Sequence, residues 1–220
     1  MSNGPKQAIY TEFAAVARAL GHRHRLELIE HLAQGERAVE ALARRTGLSV
    51  ANASQHLHQL RRAGLVVSRR DGRHVIYRLS DETVLTLFSA LRQVAERNVA
   101  EIDRIVRSYF DARDGLEPVS RETLLERLQD GRVTVLDVRP PDEYAVGHLP
   151  GALNVPIETL EQRLNELDPD QEIVAYCRGA YCVLSFEAVA ALRGRGFTVR
   201  RLEDGFPEWR AAGLPVEARA

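Results

Sequence analysis

From residue 119 to its end the chain alternates short apolar runs with segments of helical periodicity, and few folds accept that pattern. The pattern predicts helix 121–130, strand 133–138, helix 141–146, strand 153–156, helix 157–166, strand 172–177, helix 183–194, strand 197–202 and helix 206–212. Strands separated by helices pair in parallel, because a helix carries the chain back to the start of the next strand. The expectation is a central parallel sheet with helices on both faces. Ligands of such sheets bind beyond the carboxyl ends of the strands.

One strand end carries unusual chemistry. Ile173-Val174-Ala175 leads into Tyr176-Cys177-Arg178-Gly179-Ala180-Tyr181-Cys182, which holds both cysteines of the protein, and Val183 to Leu192 leaves it as a helix. Cys177 therefore falls in a six-residue loop before a helix N-terminus, where backbone N–H groups and the helix dipole stabilise an anion. A thiol so placed is expected to ionise readily and act as a nucleophile near neutral pH. The alternative is a pair of small hydrophobes packed in a core. Two cysteines in a chain of 220 residues do not make a secreted disulfide framework.

Two further segments carry a resemblance. Leu136-Asp137-Val138-Arg139-Pro140, continuing through Asp142-Glu143-Tyr144 to Gly147-His148-Leu149-Pro150-Gly151-Ala152, resembles the N-terminal signature of rhodanese domains. Asp204-Gly205-Phe206-Pro207-Glu208-Trp209, followed by Gly213-Leu214-Pro215-Val216, resembles the C-terminal one. The resemblance spans residues 119–220. It implies an α/β rhodanese domain whose cysteine takes a sulfane sulfur from a donor such as thiosulfate, a persulfide or a polysulfide. Cys177 matches the family nucleophile, and Arg178 adds positive charge at the loop entrance. Many single-domain relatives have Gly, Asn, Arg and Ser later in the loop, where this chain has Gly179-Ala180-Tyr181-Cys182. The arginine that in those relatives helps hold an anionic donor is absent from these four positions, and a second thiol, Cys182, stands among them. It is either a second thiol that resolves a Cys177 persulfide or a small packing residue. A loop one residue longer and ending in Arg would suit phosphate, whereas six residues favour sulfur; thiol-based arsenate reduction is a further alternative.

The first eighty residues read differently. Helices are expected at about 7–20, 22–33, 37–45 and 49–62, with Gly47 breaking the third from the fourth and Ser49 placed as N-cap. Two short helices joined by a Gly-containing turn form a helix-turn-helix. Strands 65–70 and 74–79 follow, with Asp71-Gly72 as the hairpin turn. The segments Ala19-Leu20-Gly21-His22-Arg23-His24-Arg25-Leu26, Ser54-Gln55-His56-Leu57-His58-Gln59-Leu60-Arg61-Arg62-Ala63-Gly64-Leu65-Val66 and Arg70-Asp71-Gly72-Arg73-His74-Val75-Ile76-Tyr77-Arg78-Leu79 resemble the ArsR family of bacterial repressors. The resemblance implies an α+β winged helix-turn-helix domain whose fourth helix enters the major groove of operator DNA. Ser49, Asn52, Ser54, Gln55 and His58 carry donors suited to base edges or phosphates. Arg62, Arg69, Arg70 and Arg73 are the expected phosphate contacts. ArsR relatives often sense metals through a cysteine pair on the third helix or acidic and His ligands on the last; neither set is present, so the histidines are expected to serve packing and DNA contact, with no metal and no cofactor.

Between the two parts, Val84, Leu87, Leu91, Val94, Ile102, Ile105 and Tyr109 recur at helical spacing without Gly or Pro, and Asp81 can cap the run. A helix over 81–110 has one apolar stripe that needs a partner, and a two-fold homodimer supplies one while setting two recognition helices one DNA turn apart. The expected organisation is a winged-helix domain over 1–80, a dimerisation helix over 81–110, a linker over 111–118 and a rhodanese domain over 119–220. Charge follows the division. Residues 1–80 carry 13 Lys/Arg against 6 Asp/Glu, a net of +7, and residues 111–220 carry 13 against 20, a net of −7. A polyanion partner belongs to the front. No apolar run of about 18 residues exists, so no membrane partner is expected. Met1 to Gln7 lacks a signal-peptide core, and the expected location is cytoplasmic. The expected function is a DNA-binding regulator whose rhodanese domain senses or transfers sulfane sulfur. A sulfurtransferase with DNA binding secondary is one alternative, and a catalytically silent partner-binding module is another.

Overall fold

The computed structural model describes residues 4–106, 108, 118–131 and 133–218. The chain divides into two compact units, Met1–Phe88 and Ser89–Ala220.

The first unit runs α1 (Pro5–Leu20), α2 (Arg23–Ala33), β1 (Arg37–Ala38), α3 (Val39–Arg45), α4 (Val50–Arg62), β2 (Val66–Asp71) and β3 (His74–Leu79), and closes with the first turns of α5 (Thr83–Asn98). Local chemistry sets these limits. Pro5 opens α1, where its missing N–H costs nothing. The Ser49 hydroxyl accepts the Asn52 N–H at 3.2 Å and caps α4. Gly47, at φ 65°, makes the turn between α3 and α4, and Gly72, at φ 57°, makes the wing hairpin. Leu28, Ile29, Leu42, Leu57 and Leu60 are fully buried in one cluster with Tyr77 of β3. The helix expected over 37–45 begins only at Val39. Arg37 and Ala38 are extended because β3 takes them as a third strand, Arg37 opposite Tyr77 and Ala38 opposite Ile76.

The Asp81 carboxylate accepts the Thr83 N–H at 2.8 Å at the start of α5. The helix expected without interruption over 81–110 divides at Val99 into α5 and α6 (Ala100–Ile105). Asn98 gives the reason. Its side-chain amide donates to the Val94 carbonyl at 2.8 Å, competing with the helical ladder, and Ile102 N–H then bonds Val99 O in a three-residue step. Residues 107 and 109–110 of that expected helix, and 111–117 of the expected linker, lie outside the described residues.

The second unit continues through α7 (Arg121–Gln129), β4 (Val133–Asp137), α8 (Pro141–Val146), β5 (Leu153–Asn154), β6 (Glu172–Tyr176), α9 (Val183–Gly194), β7 (Val199–Arg201) and α10 (Phe206–Ala211). Its four strands pair in parallel in the order β5-β4-β6-β7. Alternate residues of β6 serve opposite faces: Ile173, Ala175 and the following Cys177 join one buried cluster, Val174 and Tyr176 the other with Phe206 and Trp209. The helix expected over 157–166 is instead two 3₁₀ segments, Ile157–Gln162 and Leu164–Glu166. Its inward residues Ile157, Leu160, Leu164 and Leu167 include two three-residue spacings, which a 3₁₀ turn keeps on one side. No described helix is long and apolar enough to cross a membrane.

Candidate functional site

The cysteine loop leaves the carboxyl end of β6 and enters α9, with Cys182 as its N-cap residue. Cys177 and Cys182 are both buried and are joined as a disulfide, with their Cα atoms 6.1 Å apart. That separation is ordinary for a disulfide, so the loop brings the two sulfurs together without a detour of the backbone. The loop is braced from several sides. Cys182 N–H donates to Gly179 O at 3.1 Å, and Arg201 Nη1 donates to Ala180 O at 3.3 Å. Phe206 N–H donates to Cys177 O at 3.0 Å. Gly205 presses against the loop so closely that a Cβ there would lie 2.3 Å from the Gly179 nitrogen.

Arg178 does not stand as a loose charge at the loop mouth. Its Nε and Nη2 donate to Glu143 Oε2 and Oε1 at 2.9 and 3.0 Å, and Glu143, on α8, is fully buried. The pair fixes the loop to α8, a bidentate geometry specific to arginine. Below it lies a second buried pair. Arg139 Nε donates to Asp137 Oδ1 at 3.0 Å, its Nη2 donates to Gly147 O at 2.7 Å, and its guanidinium lies 4.4 Å from the Phe206 ring centre. Tyr176 donates its hydroxyl to Asp137 and accepts the Leu149 N–H at 3.1 Å. Burial and the Asp137 charge push that hydroxyl up, so it remains a donor.

In the first unit α4 and the wing flank a groove of about 360 Å³ lined by Ser54, His58, Arg61, Ser68, Arg69 and Arg70. Asn52, Gln55, His58 and Arg62 are exposed on α4, as are Arg70 and Arg73 on the wing, while Ser54 is half-buried. Two expected contacts are otherwise engaged. The Ser49 hydroxyl is held by the Asn52 N–H. Arg69 donates through Nε to Glu36 Oε2 at 3.4 Å and through Nη1 to Asp71 Oδ2 at 3.1 Å, bonds that raise its pKa and lower that of Glu36. Behind α4, the rings of His22 and His56 lie 4.5 Å apart, with His24 5.8 Å from His56. Among the described residues no three His, Cys, Asp or Glu side chains are arranged to hold a metal ion.

Comparison with known proteins matches two separate stretches of the chain to two families. A rhodanese-like domain model matches residues 120–212, and a helix-turn-helix domain model matches residues 20–69. The HTH-type transcriptional regulator Rv0324 of Mycobacterium tuberculosis is 45% identical over 215 residues, covering 98% of this chain and 94% of its own. The chain belongs to the helix-turn-helix transcriptional regulators that carry a rhodanese domain. A sulfurtransferase of Allochromatium vinosum is 35% identical to the regulator over 102 residues, 46% of the regulator and 94% of that protein. Among solved structures, the homodimeric winged helix-turn-helix DNA-binding domain of a possible ArsR-family transcriptional regulator from Mycobacterium bovis is 39% identical, covers 45% of the regulator and 92% of its own chain, and has a TM-score of 0.42.

Several residues that shape the regulator's sites escape a reading of the sequence. Glu143 sits inside the quoted rhodanese segment, but its pairing with Arg178 spans 35 positions and has no local signal. Glu36 meets Arg69 across 33 positions, again without one. The Tyr181 hydroxyl donates to Glu96 of α5 at 2.8 Å, a contact equally silent in sequence because it joins a helix to a loop 85 positions away.

Proposed function

We propose that this regulator responds to sulfane sulfur through Cys177 and Cys182 and that the response changes its grip on operator DNA. The observation that carries the reading is the closure of the two buried thiols across a strand-to-helix loop. The Cys177 thiolate attacks the outer sulfur of a persulfide RS–SH. The S–S bond breaks, RS⁻ leaves and takes up a proton, and Cys177 carries –S–SH. The Cys182 thiolate then attacks the Cys177 sulfur, hydrosulfide leaves, and the disulfide forms. Two thiolates give up two electrons, which reduce the sulfane sulfur to hydrosulfide; a dithiol reductant restores the pair. The N-terminus of α9 stabilises the anionic forms of the loop. Arg178, bound to Glu143, positions the loop rather than meeting the donor.

In this reading DNA contact falls to Asn52, Gln55, His58, Arg62, Arg70 and Arg73, with Arg69 holding the wing to Glu36. Exposed apolar residues on α1 and α5 support a homodimer, with Ile9, Tyr10 and Phe13 on the first and Leu87, Leu91 and Val94 on the second. The test is mass spectrometry of the peptide spanning 177–182 after the purified chain, first reduced to the dithiol, is treated with cysteine persulfide. The wild type should gain a disulfide, Cys182→Ser should retain one added sulfur, and Cys177→Ser should take up none. An unreactive wild-type peptide, or sulfur uptake by Cys177→Ser, sinks the reading. Likeness to a sulfurtransferase favours one second reading, an enzyme that carries its own DNA-binding domain. Rapid thiosulfate-to-cyanide turnover with DNA affinity unchanged by persulfide would select it.

A further inference from the structure

Helix α5 is shared. Val84 and Leu85 in its first turn are buried in the winged-helix core, with Phe88 packed against them, and from Ser89 onward it belongs to the second unit. There one side of the helix is bonded rather than solvated. Arg92 Nη1 donates to Glu208 Oε1 at 2.8 Å, its Nη2 reaches Asp204 Oδ1 at 3.5 Å, and its Nε lies 3.3 Å from Glu96 Oε1. Glu96 also accepts the Tyr181 hydroxyl at 2.8 Å. Tyr181 belongs to the cysteine loop and adjoins Cys182.

The second route passes beneath the loop. Glu208 Oε2 accepts the Gly205 N–H at 3.1 Å, Gly205 is wedged against the Arg178–Gly179 peptide, and Phe206 N–H holds the Cys177 carbonyl. Asp204 is further held by Arg121 Nε at 2.9 Å. Helix α5 thus meets the cysteine loop twice, at its rim through Glu96 and at its base through Arg92 and Glu208. The Arg92 side chain is only 19% exposed, so these bonds act with little screening by water.

We propose that Glu96 and Arg92 read the sulfur state of the cysteine pair and transmit it along α5, resting on the reading that Cys177 accepts sulfane sulfur. With the disulfide closed the loop is short and Tyr181 stands over Glu96. Adding sulfur to Cys177 requires the disulfide open, which moves the two sulfurs from bonding to van der Waals distance with a further atom between them; Cys177 is 2% exposed, so the loop rim swings out. Tyr181 moves with it and its bond to Glu96 is lost. The two sulfur states therefore differ in a contact made to α5, which is the differential interaction that a coupling requires.

The test uses the full chain and a duplex selected by the protein from a random-sequence library. Affinity is measured with the protein reduced, persulfide-loaded as Cys182→Ser, and oxidised to the disulfide, while mass spectrometry reads the 177–182 peptide. Coupling of ordinary strength gives roughly a tenfold difference in affinity between sulfur states. Adding Tyr181→Phe, which removes one exposed hydroxyl, should leave sulfur uptake and reduced-state affinity at their parent values and shrink that difference to under about twofold. Arg92→Gln should do the same by the second route. Retention of the full difference in both variants overturns the coupling while leaving sulfur sensing intact. Absence of sulfur uptake in the parent protein overturns both.

Discussion

Gly205 shows how one absent side chain fixes the cysteine loop. Its φ of −112° is open to any residue, so the constraint is space rather than backbone strain. A Cβ would meet the Gly179 nitrogen at 2.3 Å and the Arg178 carbonyl carbon at 2.4 Å, backbone atoms that cannot rotate away. Gly205→Ala should therefore push the loop off its seat and cost about 1–3 kcal/mol. The measurable outcome is a melting temperature lower by several degrees for the second unit, with slower closure of the Cys177–Cys182 disulfide; unchanged values for both would refute the close contact. The cysteines were legible in the sequence because their chemistry and their strand-to-helix position coincide. The carboxylates that Arg178 and Arg69 meet were legible only in part. Asp71 lies two positions from Arg69, but Glu143 and Glu36 lie more than thirty positions from their arginines, and the sequence near the arginine carries no trace of them.

Periodicity located most helices and strands because each buries one face, but it failed where a distant partner or a side chain overrode the local pattern. β3 claims Arg37 and Ala38 from a helical segment, and the Asn98 amide ends α5 within a continuous apolar stripe. α5 itself divides its labour by face. Leu87, Leu91 and Val94 follow a spacing of four and three and are 40%, 40% and 61% exposed, while Arg92 and Glu96 lie on the roughly opposite side. The exposed stripe is suited to a second copy of the chain, and a charge placed in it would be buried unpaired in the proposed homodimer. Val94→Asp should convert the protein to monomer in sedimentation experiments and weaken operator binding by at least about tenfold, since linked half-sites reinforce each other strongly. A dimer that survives Val94→Asp would move the interface elsewhere.

The two units have separate buried clusters, so acid should act on them separately. His56 is the group that makes the first unit sensitive. Burial, followed by the charges of His22, Arg25 and His24, holds its imidazole below the usual histidine value of 6.5. A base with a depressed folded-state pKa is protonated first in the unfolded chain. Stability from this group is therefore intact above about pH 6.5 and declines as pH falls from there toward the folded-state value, because the unfolded state binds more protons across that window. Glu27 lies 3.0 Å from the His24 Nδ1, but the His56 Nδ1 is buried without a hydrogen-bond partner. Scanning calorimetry between pH 7.5 and 5.5, a range of about one unit either side of that value, should show the winged-helix transition falling by a few degrees. His56→Leu, which cannot take up the proton, should flatten that response while leaving the transition of the rhodanese unit where it was. An acid shift that persists in His56→Leu would assign the sensitivity to the general positive charge of residues 1–80 instead of to this ring.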